Sequence, residues 1–178
     1  MNISSTTNPP MVDIVIEIPR GGFAKVGSQG ELDFISPLPC PFNYGSVPTH
    51  VGLEGDLLDA LVLGPRLAVG TRLTLPAFGA VGLSDRGLYD DKLVYASHPP
   101  CVWQRRGTIA FFHLYAVGKR GLNLYRRRPG LTRCEGWGEA ADAIGRASPR
   151  SADWQEPAVE FRAAPQGSKR LGIPKAIC

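Results

Sequence analysis

Apolar and polar residues alternate over residues 12–17, after which Pro19, Gly21 and Gly22 break the run, the pattern of a half-buried strand closed by turn residues. Further short apolar or alternating runs fall at residues 31–35, 58–63, 71–75 with a continuation toward Leu83, and 92–96. Gly, Pro, Asp or Ser separates each from the next, and short strands at this spacing predict a small barrel. Helical periodicity enters only later. Ile109, Phe112 and Tyr115, with Phe111 one position over, mark one face of a helix over residues 104–117. A second helix is expected over residues 138–147, rich in Ala and Glu, before Ser148-Pro149 stops it. The predicted fold is therefore mainly β with α: five short barrel strands flanked by two main helices. Residues 1–11 read as an N-terminal tail, 12–147 as the barrel domain, and 148–178 as a polar extension with Pro157, Pro165, Pro174 and one short extended piece at 158–161.

With 178 residues and 43% hydrophobic content, the chain can bury one substantial core but not two ordinary ones. The run from Leu57 to Leu63 is interrupted by Asp59 and closed by Gly64-Pro65, far short of the roughly 20 residues a membrane span requires. The first ten residues have neither a basic start nor an apolar stretch, so a cytoplasmic location is expected. Cys40, Cys101, Cys134 and Cys178 share no metal-ligand spacing and read as reduced packing residues. Lys and Arg outnumber Asp and Glu by 20 to 16, and much of the excess lies between Lys119 and Arg133. Aromatic residues do not interleave with that basic run as a stacking platform would need, so it reads as a solvated face or small-anion site rather than a nucleic-acid surface.

The richest chemistry lies in Glu54-Gly55-Asp56-Leu57-Leu58-Asp59, where three carboxylates crowd a glycine turn that leads into an apolar strand. Such crowding is unfavourable unless a cation resolves it. A second cluster, Asp85, Asp90 and Asp91 with Lys92, occupies another turn between two expected strands. Two such turns facing each other would form an oxygen-only cage for hard cations. Each taken alone is equally compatible with a polar hairpin loop.

Order separates the two readings. Ile16-Glu17-Ile18-Pro19 is followed by Asn43-Tyr44-Gly45, the Glu54–Asp59 stretch, Asp85 with Asp90 and Lys92, Phe111-Phe112 with Tyr115, and Glu135-Gly136-Trp137. In this order the chain resembles the family I soluble inorganic pyrophosphatases, whose pattern runs I-E-I-P, P-x-N-Y-G, D-G-D-P-x-D-x-L-V, D-x-x-x-x-D-x-K, F-F-x-x-Y-K and E-G-W. The resemblance implies an OB-like five-stranded barrel, a homo-oligomer, diphosphate as substrate, and several Mg²⁺ ions bridging carboxylates and phosphate oxygens. Carried over by position, Glu54, Asp59 and Asp90 hold one activating metal, Asp59 is shared with a second, and Asp56 lies beside the water between them. Asp85 and Asp90 hold a substrate-borne metal, with Glu17 in the outer shell of a further one. Lys25, Tyr44, Lys92 and Tyr115 match the residues that contact phosphate.

Several positions depart from that pattern. Gly27 stands where the family has an acidic residue, and its Asp-Arg pair falls on Ile35-Ser36. Glu54 replaces the first aspartate of the metal loop, Leu57 its proline, and Ala116 the lysine after Tyr115. Metal ligands are thus better kept than phosphate ligands, and Arg20, Arg86 or Arg120 could supply the lost charge. Three functions are consistent with this: Mg²⁺-dependent hydrolysis of diphosphate, hydrolysis of an organic diphosphate, phosphate ester or phosphonate at the same centre, or binding of a phosphorylated ligand with weak catalysis.

Overall fold

The computed structural model describes residues 8–26, 32–35, 39–85, 88–125 and 132–155. Gly27, Ser36, Arg86 and the extended piece expected at 158–161 lie outside them. In chain order the elements are β1 (Met11–Ile18), β2 (Ala24–Val26), β3 (Leu32–Ile35), β4 (Asn43–Val51), β5 (Leu57–Val62), β6 (Arg72–Asp85), β7 (Leu88–Tyr89), β8 (Lys92–Tyr95), α1 (Val102–Tyr125), β9 (Thr132–Gly138), α2 (Ala140–Arg146) and β10 (Ser148–Pro149).

Strands β1, β4, β5, β8 and β6 neighbour one another in that order, and β1 also pairs with β6, which closes a five-stranded barrel. All its pairings are antiparallel except β5 with β8. Period-two alternation divides the side chains between two cores. Ile14, Ile16, Val47, Leu58, Ala60, Val62, Leu93 and Tyr95 pack with Ala140 and Ala143 of α2 in one cluster. Leu61, Val81, Leu83 and Val94, one residue out of step with them, pack against Phe112 of α1 and Cys134 of β9 in the other. Alternate residues of β5 and β8 therefore point into the barrel or outward toward α1.

Helix α1 follows Pro99-Pro100 and opens with a side chain that satisfies an early backbone donor: the Cys101 N–H donates to Gln104 Oε1 at 2.8 Å. Thr108, Phe112 and Ala116, spaced four apart, are buried on its inner face. Phe42 reinforces the contact, with its ring 5.5 Å from Phe111 and 6.5 Å from Phe112.

The five-stranded barrel and both helices agree with the sequence pattern, while the membership of the barrel differs from it. Residues 32–35 do form a strand, but β3 pairs with β2 in a separate two-stranded sheet. The remaining barrel strand is β4, whose sequence lacks clean alternation because several positions serve backbone geometry. A Cβ on Gly45 would stand 1.9 Å from Val15 O, so only glycine lets β1 approach there. Asn43 is fully buried with four hydrogen bonds: Oδ1 accepts from the N–H groups of Arg20 (3.0 Å) and Leu67 (2.8 Å), and Nδ2 donates to the carbonyls of Val62 (3.3 Å) and Pro65 (2.8 Å). The P-x-N-Y-G segment thus ties the loops after β1 and β5 to the barrel. Helix α1 runs longer than expected at both ends, and β9 adds a strand outside the barrel on β6. Beyond residue 147, Ser148 and Pro149 pair with β4, and Trp154 Nε1 donates to Gly55 O.

Candidate active site

The register of three neighbouring strands builds the centre of the site. Ser46 of β4 lies opposite Asp59 of β5, and Asp59 lies opposite Lys92 of β8. The parity that sends Leu58, Ala60 and Leu93 inward turns Asp59 and Lys92 outward, beside Leu61 and Val94. On the far side of Ser46, Glu17 of β1 extends the row: Ser46 Oγ donates to Glu17 Oε1 at 2.5 Å. A polar row thus crosses four adjacent strands on the face that α1 overhangs.

Lys92 is its electrostatic centre. Its ammonium donates to both Asp59 Oδ2 and Asp90 Oδ1, and its side chain is only 5% exposed. Burial by itself would lower the lysine's proton affinity; Asp59 and then Asp90 outweigh it and hold the group well above the usual lysine range. The Tyr44 ring centroid lies 5.9 Å from the ammonium. Burial first, and Asp59 second, raise the Tyr44 hydroxyl well above its ordinary value, so it stays a neutral donor. Tyr115 of α1 is partly exposed, with its ring 6.0 Å from Phe112.

At the other end of the row, Lys25 Nζ of β2 stands 3.5 Å from Glu17 Oε2. Burial pushes the Glu17 carboxyl up, and Lys25 and Ser46 only partly reverse this. Glu17 Oε2 is buried without a hydrogen bond. Glu54 and Asp56 occupy the exposed turn that leads into β5, three to five residues before Asp59, where the Gly52 N–H donates to Asp56 O at 2.8 Å and the Gly55 N–H to Gly52 O at 3.1 Å. The backbone of Asp85 ends β6 opposite Leu88 and Thr132; its side chain lies outside the described structure.

Of the residues expected at a metal site, the structure brings Asp59 and Asp90 together on one cationic point and joins Glu17 to them through Ser46. Among the described residues, no three Asp, Glu, His or Cys side chains gather closely enough to hold a metal ion unaided. The donor set nevertheless suits a hard divalent cation. All donors are carboxylate oxygens, two already converge on a positive charge, and a neighbouring carboxylate oxygen is buried without a hydrogen-bond donor.

Of the arginines considered as replacement cations, the two described ones each donate to a backbone carbonyl. Arg20 donates through Nη1 to Gly64 O at 3.0 Å, and Arg120 through Nε to Thr132 O at 2.5 Å. Ala116 is 3% exposed and opens onto a cavity of about 540 Å³ that Arg120 and Arg133 also line. Ser46 was missed from the sequence, although its place two residues after Tyr44 on a strand would have put it on the same face. Also unforeseen was the pair of Asp91 with Arg146, whose Nε donates to Asp91 Oδ2 at 2.8 Å and fastens α2 to the loop before β8.

Comparison with known proteins bears on the family and the fold. Residues 14–105 match the sequence profile of the family described as inorganic pyrophosphatase. The inorganic pyrophosphatase of Neisseria meningitidis serogroup A is 30% identical over 149 residues, covering 75% of this chain and 82% of that protein. That of Brucella melitensis is 32% identical over 107 residues, a match spanning 54% of this chain and 61% of the relative's length. Among solved structures, the inorganic pyrophosphatase of Neisseria gonorrhoeae superposes with a TM-score of 0.62 at 23% identity over 81% of this chain and 94% of the other. The Thermus thermophilus enzyme gives 0.62 at 20% identity over 82% and 91%. These likenesses support the barrel, and with the profile match and the Neisseria meningitidis relative they establish that the chain belongs to the inorganic pyrophosphatase family.

Proposed function

We propose that this protein hydrolyses inorganic diphosphate to two phosphates at the outward polar row of its barrel, with Mg²⁺ as the metal. The observation that carries the reading is the register Ser46–Asp59–Lys92 with Asp90 and Glu17 attached, which concentrates carboxylates and one buried ammonium on a single face. Asp59 and Asp90, with Glu54 from the turn before β5, would hold the activating metal; Asp85 would take the ion carried by substrate, and Glu17 would stand in an outer shell. When bound, the cation lowers the pKa of a coordinated water and neutralises phosphate charge.

The chain's own residues supply the rest. Asp56 receives the proton of the attacking water as the new oxygen–phosphorus bond forms and the bridging oxygen–phosphorus bond breaks; the bridging oxygen leaves with the second phosphate. Lys92, fixed in its charged form, Lys25, Tyr44 and Tyr115 donate to phosphate oxygens, because phosphoryl transfer depends above all on positioning and charge neutralisation. The same reading takes the enzyme as a cytoplasmic homo-oligomer. Trp103, Leu114 and Val117 lie exposed on α1, at 76%, 60% and 62%, as a self-association surface would require, and light scattering tests it.

A second reading keeps the centre and changes the substrate to an organic diphosphate, phosphate ester or phosphonate. Its support is Ala116, an uncharged buried residue where the family carries lysine. Phosphate release from diphosphate, set beside a panel of organic diphosphates and phosphonates with and without Mg²⁺, decides between them. Release from diphosphate that requires Mg²⁺ and exceeds that from every organic substrate is the expected result. Faster turnover of an organic substrate would transfer the reading to the second, and no turnover of any would leave a binding protein.

A further inference from the structure

The segment after α2 reaches back across the molecule to the turn that carries Glu54 and Asp56. Ser148 and Pro149 form β10 against the end of β4, and the Arg150 N–H continues the pairing by donating to Thr49 O at 2.9 Å. Arg150 places its guanidinium 4.9 Å from the centre of the Trp154 ring, and the Trp154 N–H closes a turn onto Ser151 O at 3.2 Å. So held, Trp154 donates from Nε1 to Gly55 O at 3.1 Å, across 99 residues of sequence.

The accepting carbonyl matters because of where it lies. It belongs to the peptide between Gly55 and Asp56, and Gly55 has φ +94°, a conformation that glycine enters freely and leaves as freely. That peptide plane fixes the direction in which Asp56 leaves the backbone, and Glu54 sits immediately on its other side. Rotation of that peptide would turn Asp56 relative to Glu54, so whatever holds the Gly55 carbonyl also holds the relative placement of the two carboxylates. Within the turn, the hydrogen bonds run from Gly52 to Asp56 and from Gly55 to Gly52. Neither holds the Gly55 carbonyl; Trp154 does.

We propose that Trp154, braced by Arg150, is a positioning residue that orders the Glu54–Gly55–Asp56 turn for divalent-cation binding, so that the segment following α2 sets the metal affinity of the site. The inference rests on the reading of this turn as part of the metal centre. Trp154 touches neither substrate nor metal, and its influence passes through one backbone carbonyl.

The test is Trp154→Phe in the full chain, which keeps an aromatic ring for Arg150 and removes the Nε1 donor along with part of the indole, compared with the parent and with Glu54→Gln. Titration calorimetry with Mn²⁺ and with Mg²⁺ alone should show an affinity loss of about tenfold, the lower end for partners outside the inner ligand sphere. Melting in EDTA should stay at the parental temperature, and amide exchange at residues 52–56 should quicken. Where diphosphate turnover is measured, the Mg²⁺ concentration for half activity should rise by the same factor with kcat at saturating metal preserved. Unchanged metal affinity in Trp154→Phe, beside a clear loss in Glu54→Gln, would overturn the inference and leave the site reading intact. Loss of affinity accompanied by a matching drop in the metal-free melting temperature would reduce Trp154 to a structural role and overturn it too. A parent that binds neither cation, or a Glu54→Gln variant that binds them as the parent does, would remove the reading of the turn as a metal site, and this inference with it.

Discussion

At the scale of single residues, the polar row separates groups that hold charge from groups that tolerate it. Asp59 accepts from a buried ammonium and stands opposite both Ser46 and Lys92, which places it at the middle of the row. Lys25 is more exposed and meets Glu17 at a looser 3.5 Å. Asp59→Asn should therefore lower diphosphate turnover about 10²-fold or more, the loss seen when preorganised electrostatic groups are removed, while Lys25→Ala should cost much less. Steady-state phosphate release decides, and equal activity in Asp59→Asn and the parent would contradict the mechanism. Glu17 makes a prediction about stability. Burial raises its carboxyl above the ordinary value, so between the unfolded and folded pKa values the native state binds more protons than the unfolded state. Stability from this group is complete below the unfolded pKa and is lost as pH rises through the folded one. Glu17→Gln keeps an acceptor for Ser46 and removes the charge. In EDTA, urea midpoints for parent and variant should converge at acid pH, and the variant should gain on the parent as pH rises to neutral. Parallel profiles would show that burial does not penalise the Glu17 carboxylate.

At the scale of elements, contacts between strands and helices depend on positions that alternation does not mark. Trp137 of β9 lies so close over β6 that a Cβ on Gly79 would stand 2.4 Å from its indole, and Arg105 of α1 sits 5.1 Å above the same ring. The E-G-W segment thus wedges β9 between barrel and helix. Gly79→Ala should cost about 1–3 kcal/mol, the usual penalty of overpacking. Most of that penalty should vanish in a Trp137→Leu background, because the two changes share one contact. Urea denaturation of the four proteins measures the coupling, and additive effects would place the cause elsewhere. This also shows what the sequence could and could not disclose. Strand β1 was legible because Ile14, Ile16 and Ile18 are buried at every second residue, and β5, β6 and β8 because both their faces meet apolar clusters, which leaves short apolar runs bounded by turn residues. β4 was not, since Asn43 serves four side-chain hydrogen bonds and Gly45 a close approach, neither of which leaves a period. The carboxylates announced themselves by crowding. Trp154 could not, because a contact spanning 99 residues has no local signature, and Ser46 follows from Tyr44 only once β4 itself is read as a strand.

For the whole molecule, the remaining question is how a site short of family cations is balanced. The chain carries a net charge of +4, and part of the excess lies where α1 meets β9. Arg120 fastens the two by donating to Thr132 O, and it lines the cavity onto which Ala116 opens, with Arg133 opposite. Arg20, by contrast, is engaged with Gly64 at a cavity bordered by Phe42 and Leu63. The family lysine would project from position 116, and Arg120, one turn further along the same helix and bordering the same cavity, is the candidate replacement to test. Arg120→Ala should then lower kcat/KM for diphosphate about tenfold, the worth of one charge-assisted contact of about 1.5 kcal/mol. Ala116→Lys in the parent should add nothing, since it would crowd Arg120 and Arg133, but in the Arg120→Ala background it should restore much of the loss. Melting curves on all four proteins separate this from loosening of the α1–β9 contact, which lysine at position 116 would not repair. An Arg120→Ala variant with parental kcat/KM, or an Ala116→Lys change that raises kcat/KM while Arg120 is present, would mean that the phosphate side is depleted rather than rebuilt, and would favour the reading in which an organic phosphate with less charge to neutralise is the substrate.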